Sequence, residues 1–300
     1  MATVRVSLEN IITKDRIPLA GALFEPEKKT NVAAIWLGGL TSRFYGSLDR
    51  TKILAQAFTR EGIALAIFNH RGSGTVTEAN KVIKNQKKHV ILGTAFEVFE
   101  QCTDDIEAYV AWLRRRGYRK IILLGHSTGA NKAAYYYYRT KGRGLVGIGL
   151  LGAVSDIPPF KKEFGARFAK ALEWSRAAVK KGRSRELMPE TLSRGAIWTA
   201  QRFLSLVAEG MNEDTFPYYD PSRAFYWTKN INIPFAVVMG ERDEFAYRPM
   251  PEIVDVFKKN IPAHYLTTKI IARADHGFGD TEKQLASFLI GWMLPILTKK

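Results

Sequence analysis

Apolar positions along this chain recur at two spacings, and the alternation between them outlines a fold. Short unbroken runs read as buried strands: "NVAAIWL", "IALAIF", "KIILLG", "GLVGIGLL", "IPFAVVMG" and "YLTTKIIA". Between them lie segments with apolar residues three and four apart, the mark of a helix with one buried face. Ile53, Leu54, Ala57 and Phe58 form one such stripe, which stops at Gly62. Phe99, Cys102, Ile106, Tyr109, Val110 and Leu113 form another, within a long helix predicted over "GTAFEVFEQCTDDIEAYVAWLRRRGY". The N-terminal "MATVRVSLENIITKDRIPLAGALFEP" reads as two short strands around a turn near Lys14 to Arg16.

Two segments break the alternation. Thr75 to His89 is polar, basic and aperiodic, and reads as a surface insertion. Residues 155–221 carry helix-like segments rich in charge and aromatics but no clear strand. The order strand, helix, strand on either side predicts a mainly parallel sheet covered on both faces, an α/β fold. The expected division is a core of residues 1–154 and 222–300, with residues 155–221 inserted as a helical cap over the carboxyl edge of the sheet.

Composition changes this picture little. A chain of 300 residues, 46% hydrophobic, can bury a large core. No apolar run reaches the length of a membrane span, and the N-terminus lacks a basic segment followed by an apolar one. A single cysteine, Cys102, cannot form an internal disulfide, so a cytoplasmic enzyme is the simplest placement. The net charge of +16 raises the question of polyanionic partners. Its densest stretch, Lys161 to Glu186, has nine basic and three acidic residues, with Phe164, Phe168, Ala171, Leu172 and Val179 at helical spacing. A solvated helical face accounts for it, and no basic tract is interleaved with aromatics as strand binding requires, so no nucleic-acid partner is expected.

The candidate chemistry sits in "GHSTG". Ser127 lies between Gly125 and Gly129, after a predicted strand and before a predicted helix. Such an abrupt turn crowds the backbone, requires small residues on either side, and leaves the serine in strained geometry with its hydroxyl presented outward. The helix N-terminus that follows favours negative charge at the same place. A serine hydroxyl becomes a nucleophile only when a base takes its proton. Of five histidines, His276 in "ARADHGF" follows the last predicted strand and shares the carboxyl edge with Ser127. His126 is within the turn, His70 in "NHRGSG" reads as shaping a loop, and His89 and His264 lie in polar surroundings. An acid must fix the base's tautomer. Asp243 in "GERDEF" follows a strand and completes the order Ser, Asp, His; Glu241, Glu244 and, after another strand, Asp156 are the rivals. The oxyanion donors expected are the amide of Thr128 and one from "WLGGLTS", Leu40 or alternatively Gly39. No ligand-spaced metal cluster and no phosphate-cradling glycine loop appears, so no metal and no cofactor is expected.

Together "GHSTG", "GERDEF", "ADHGF", "LGGL" and "NHRGSG" resemble the α/β-hydrolase superfamily over nearly the whole chain outside residues 155–221. The resemblance implies an eight-stranded, mostly parallel sheet with a helical cap after the sixth strand. Two positions depart from the family's pattern: Gly38-Gly39 stands where His-Gly is common, and Asn69 replaces the usual Asp before Arg-Gly. A serine nucleophile implies a carboxylic-ester hydrolase acting through an acyl-enzyme on a small-molecule ester, with thioesters or lactones as the alternative. A ligand-binding protein on the same fold that no longer turns over is the reading from another class. The cap's aromatic load implies an apolar or aromatic substrate, of the feruloyl type, in a pocket drawn from Phe160, Phe164, Trp198 and Phe216, while the expected basicity of that pocket favours carboxylated substrates.

Overall fold

The computed structural model describes residues 4–84, 86–220 and 222–298. Pro221, the expected end of the insertion, lies outside them. The elements run β1 (Arg5–Ile12), β2 (Pro18–Glu25), β3 (Val32–Leu37), α1 (Leu48–Arg60), β4 (Ala64–Phe68), β5 (Thr77–Ile83), β6 (Gln86–Leu92), α2 (Cys102–Arg115), β7 (Lys120–His126), α3 (Thr128–Thr140) and β8 (Gly147–Leu151). Then come α4 (Ile157–Phe164), α5 (Phe168–Lys180), α6 (Glu190–Ser193), α7 (Ala200–Val207), β9 (Phe235–Gly240), α8 (Met250–Asn260), β10 (Leu266–Ile271) and α9 (Glu282–Thr298).

Eight strands form one sheet in the order β1-β2-β4-β3-β7-β8-β9-β10. β1 and β2 are antiparallel to their neighbours; the six strands from β4 to β10 are parallel. The unbroken apolar runs follow from this, because an interior parallel strand is covered on both faces. Along β3 and β7, Ile35, Leu37, Ile121 and Leu123 face one cluster, shared with α2, α3 and α8. Trp36, Ile122 and Leu124 face the other, beneath α1 and α9. The strand order reverses beside β3: the chain leaves it for β4 on one side, and β7 returns on the other. At such a switch point the carboxyl ends of adjacent strands leave a crevice, here between the ends of β3 and β7.

The inserted helices have a core of their own. Phe164, Phe168, Ala171, Phe203, Leu206 and Val207 pack together from α4, α5 and α7. Four of the five apolar positions predicted for the basic stretch are buried or half-buried, while Val179 stays exposed. Two expectations need correction. Thr75 to His89 falls largely within an antiparallel hairpin, β5–β6, instead of an aperiodic insertion. Both strands are substantially solvated, so no buried face imposes the two-residue alternation that reveals a strand. The long helix expected from Gly93 begins as α2 at Cys102; two short 3₁₀ turns, Thr94–Phe96 and Phe99–Gln101, precede it. Among the described residues no helix is long and apolar enough to cross a membrane.

Candidate active site

Ser127 occupies the bend between β7 and α3 at φ 58° and ψ −132°, a region that non-glycine residues rarely enter. A strained backbone of this kind costs on the order of 1–3 kcal/mol and persists only where the surroundings enforce it. Here they do. The Ser127 N–H donates to the Leu151 carbonyl of the neighbouring strand at 2.9 Å, and its carbonyl accepts from Ala130 N at 2.8 Å. A Cβ on Gly125 would collide with the Gly129 backbone, and one on Gly129 with the Leu37 and Gly38 carbonyls at the end of β3. Both glycines of the motif are therefore dictated by backbone approach, as the sequence implies. The Ser127 side chain does not cap α3, and the first turn of that helix has no acidic residue to offset its positive end.

His276 sits in the loop after β10, and its Nδ1 lies 2.8 Å from Oδ2 of Asp243 in the loop after β9. The carboxylate can only accept, so Nδ1 carries a proton, which in the neutral ring leaves the lone pair on Nε2. The other Asp243 oxygen accepts from Phe245 N at 3.0 Å, which fixes the carboxylate's orientation. The histidine backbone is held as well: its N–H donates to Glu244 Oε2 at 3.0 Å, and its carbonyl accepts from His126 Nε2 at 2.8 Å. The Phe245 ring meets the imidazole edge-on, 4.7 Å between centroids. Burial drives the His126 pKa well below its usual value, with Arg50 and His276 adding to the effect, so His126 is a neutral donor. The flanking rival acids have other work: Glu244 holds the His276 backbone and Glu241 accepts from Arg273 N at 2.7 Å.

Ser127, His276, Gly39, Leu40 and Asp156 line one cavity of about 280 Å³, whose apolar wall comes from Val154, Pro159, Phe160 and Phe245. A Cβ on Gly39 would stand 2.6 Å from Ser127 Cβ, 2.9 Å from its Oγ and 3.1 Å from Thr128 N, so only glycine lets the β3 loop approach the elbow this closely. Neither the Leu40 nor the Thr128 N–H has an acceptor among the described residues. A larger groove of about 490 Å³ adjoins the cavity across Leu40 and Ser42; it holds Arg43 and Arg50 but neither Ser127 nor His276.

Asp156 faces the cavity without a hydrogen bond to His276. Burial, reinforced by Glu213 and opposed by Arg202 and His276, raises its pKa to about 7. Of the expected pocket aromatics only Phe160 lines the cavity. Phe164 is spent in the core of the inserted helices, Trp198 packs edge-on against Phe160 at 5.7 Å, and Phe216 belongs to the main core beside Phe225 and Phe257. Aromatic spacing does not distinguish a side chain that joins two layers from one that lines the gap between them. The expected basic pocket is also corrected: the ionisable side chains lining it are Asp156, Glu163 and two histidines, with no lysine or arginine.

Behind the elbow lies a group of charges that motif reading does not find. Glu97, Lys132, His70, Arg202 and Glu213 are all buried. Lys132 Nζ is 2.7 Å from Glu97 Oε1, Arg202 Nη2 is 3.4 Å from Glu97 Oε2, and Arg202 pairs through both terminal nitrogens with Glu213. Burial favours the protonated form of Glu97, but the cations Lys132 and Arg202 oppose it, and the carboxyl is held well below its ordinary range. The one available signal is a lysine five residues after the elbow serine on a helix otherwise uncharged along its first turns.

Residues 81–295 match the family model described as "Protein of unknown function (DUF1749)". No curated protein matches. Among solved structures, the siderophore hydrolase EstB from Aspergillus fumigatus is similar with a TM-score of 0.70, at 15% identity, over 98% of this chain and 99% of that one. Est1E from Butyrivibrio proteoclasticus with bound ferulic acid gives 0.66 at 14% identity, over 97% of this chain and 100% of that one. The Pyrococcus furiosus esterase Pf2001 gives 0.55 at 17% identity, over 97% and 94%. The mostly parallel eight-stranded sheet with helices on both faces is the α/β-hydrolase fold.

Proposed function

Since the chain belongs to the DUF1749 family, whose description assigns no chemistry, we propose an activity from the site itself: a serine carboxylic-ester hydrolase acting through an acyl-enzyme. In this reading Ser127 Oγ attacks the acyl carbon while His276 Nε2 takes the hydroxyl proton. Asp243 holds the imidazole in the tautomer that leaves Nε2 free and stabilises the imidazolium that forms. The amides of Leu40 and Thr128 receive the oxyanion of the tetrahedral intermediate. The C–O bond to the alcohol then breaks, and His276 returns the proton to the departing oxygen. Water, deprotonated by the same imidazole, attacks the acyl carbon; the bond to Ser127 Oγ breaks, the imidazolium returns its proton to Oγ, and the acid leaves.

The observation that carries the reading is the His276–Asp243 pair at 2.8 Å, opening onto the cavity that also holds Ser127. The apolar wall of Leu40, Val154, Pro159, Phe160 and Phe245 suits an apolar or aromatic acyl or alcohol group. Likeness in fold to an esterase with ferulic acid bound adds support for aromatic esters. Thioesters and lactones would use the same groups. Residues 155–221 act in this reading as the cap, since α4 supplies Phe160 and Glu163 to the cavity from above the strand ends.

The test is hydrolysis of p-nitrophenyl acetate, octanoate and ferulate esters by the wild type and Ser127→Ala. The expected result is turnover by the wild type and a loss of about 10⁴-fold or more in kcat for the variant. Full activity in Ser127→Ala would overturn the assignment; a wild type that binds esters without turnover would favour the ligand-binding alternative.

A further inference from the structure

The buried charges behind the elbow reach the oxyanion loop through one contact. His70 Nε2 lies 3.2 Å from the Gly39 carbonyl oxygen, and His70 is buried. Its other ring nitrogen, Nδ1, is 3.1 Å from Gly72 N and 3.0 Å from Lys132 Nζ. A backbone N–H can only donate, so Nδ1 must offer its lone pair and the ring proton resides on Nε2. Glu97 Oε1 also comes within 3.4 Å of Nδ1, but Lys132, closer to both, bridges them. The tautomer is thus decided by Gly72 and Lys132, and Lys132 is held in turn by Glu97.

A peptide unit is planar, with its C=O and N–H pointing in opposite directions. Turning the Gly39 carbonyl toward His70 therefore turns the Leu40 N–H away from it, and Leu40 lines the Ser127 cavity. Among the described residues the only other donor to that carbonyl is Ser42 N, at a longer 3.3 Å. We propose that His70 is a positioning residue: as a neutral imidazole protonated at Nε2, it grips the Gly39 carbonyl and so aims the Leu40 amide at the oxyanion. This rests on the hydrolase reading above and extends it, because it assigns a task to a histidine outside the triad and to the ion pair that sets its tautomer. Burial and the nearby Lys132 lower the His70 pKa, against the pull of Glu97 and Asp105, which is consistent with a ring that stays neutral.

An oxyanion donor acts on the transition state and not on the bound ester. Loss of one such donor outright costs about 10²- to 10³-fold in kcat. Loss of its alignment, with Ser42 N still holding the carbonyl, is expected to cost about 10-fold. His70→Ala should accordingly lower kcat on a p-nitrophenyl ester by that factor with KM little changed. It should slow inactivation by a phosphonate ester, whose serine adduct carries a tetrahedral oxyanion, in the same ratio. His70→Gln, whose amide nitrogen can take the place of Nε2, should recover most of both rates. Independently of turnover, ¹⁵N spectra of the histidine-labelled wild type should show two neutral, Nε2-protonated rings that do not titrate between about pH 5.5 and 8.5, His126 and His70, of which the His70 signal is the one absent from His70→Gln.

An Nδ1-protonated or titrating His70 overturns the proposal, as does a folded His70→Ala whose loss appears in KM alone or whose phosphonate reactivity is unchanged. Should His70→Ala not fold, the wild-type spectra and His70→Gln give the answer. A wild type unreactive toward both ester and phosphonate sinks the hydrolase reading instead, and is told apart by leaving the ring spectra as described.

Discussion

The His276–Asp243 pair and the Glu97–Lys132–His70–Arg202–Glu213 group are both ionisable clusters at the β7–α3 junction, yet they are built differently. The first stands on two loops at the strand ends and opens onto a cavity. The second is enclosed by α3, α7 and the loops after β4 and β6, and each of its carboxylates faces a cation. Desolvated charges in a low-dielectric interior are stable only when paired, and once paired they resist movement. A cluster that must exchange protons needs one face open and one partner fixed. A cluster that holds backbone in place needs neither. In the proposed reading the same residue types serve chemistry in one place and geometry in the other, and access to the cavity separates them.

Four measurements would break or sharpen this contrast. The largest effect belongs to the open pair. Asp243→Asn keeps the size of the side chain but loses the acceptor that sets the His276 tautomer, so kcat should fall by about 10⁴-fold while the melting temperature changes little. A fall of less than tenfold would move the acid to another residue. Second is the closed group. Arg202→Met strips the cation shared by Glu97 and Glu213, and unpairing a buried charge typically costs about 3–5 kcal/mol, measurable by denaturant unfolding. A loss under about 1 kcal/mol would mean that water already reaches those carboxylates.

Third, Asp156→Asn separates the rival acid from the triad. The Asp156 pKa is raised to about 7 from an ordinary 3.8, so the folded state holds a proton that the unfolded chain releases between those values. Stability from this group is therefore lost as pH rises from about 4 to 7. The variant should melt higher than the wild type at pH 8 and no differently at pH 4, with activity within a few-fold. An activity loss matching that of Asp243→Asn would contradict the hydrogen bonding seen at His276. Smallest is a change remote from both clusters: Lys87→Gln and Lys88→Gln on the exposed β6 strand should shift stability by less than about 0.5 kcal/mol and leave ester hydrolysis unaffected.

Much of the architecture was legible in one dimension. "KIILLGHSTGANKAAYYYY" announces a buried strand, a cramped bend and a helix, because burial on both faces enforces an unbroken apolar run and backbone collision enforces glycine. His276 and Asp243 could be chosen because parallel strands put every following loop on one edge. Other features left no local trace. The β5–β6 hairpin has no buried face to imprint a period. Phe164 and Phe216 have the same character as Phe160, and only packing tells core from cavity wall. The basic composition gave no warning of an acidic cavity, since net charge sums over a surface and a pocket samples a few side chains.

Sequence by itself determined the order of the strands of the main sheet, the strained serine and the residue types able to partner it, because these depend on neighbours along the chain and on periodic burial. Tertiary structure alone decided that Asp243 and not Asp156 meets His276, that Glu97 meets both Lys132 and Arg202 from distant segments, and that His70 turns a ring nitrogen toward Gly39. Those pairings join residues from 31 to 105 positions apart, and a contact of a few ångströms across such separations is set by how layers pack, which no local pattern encodes.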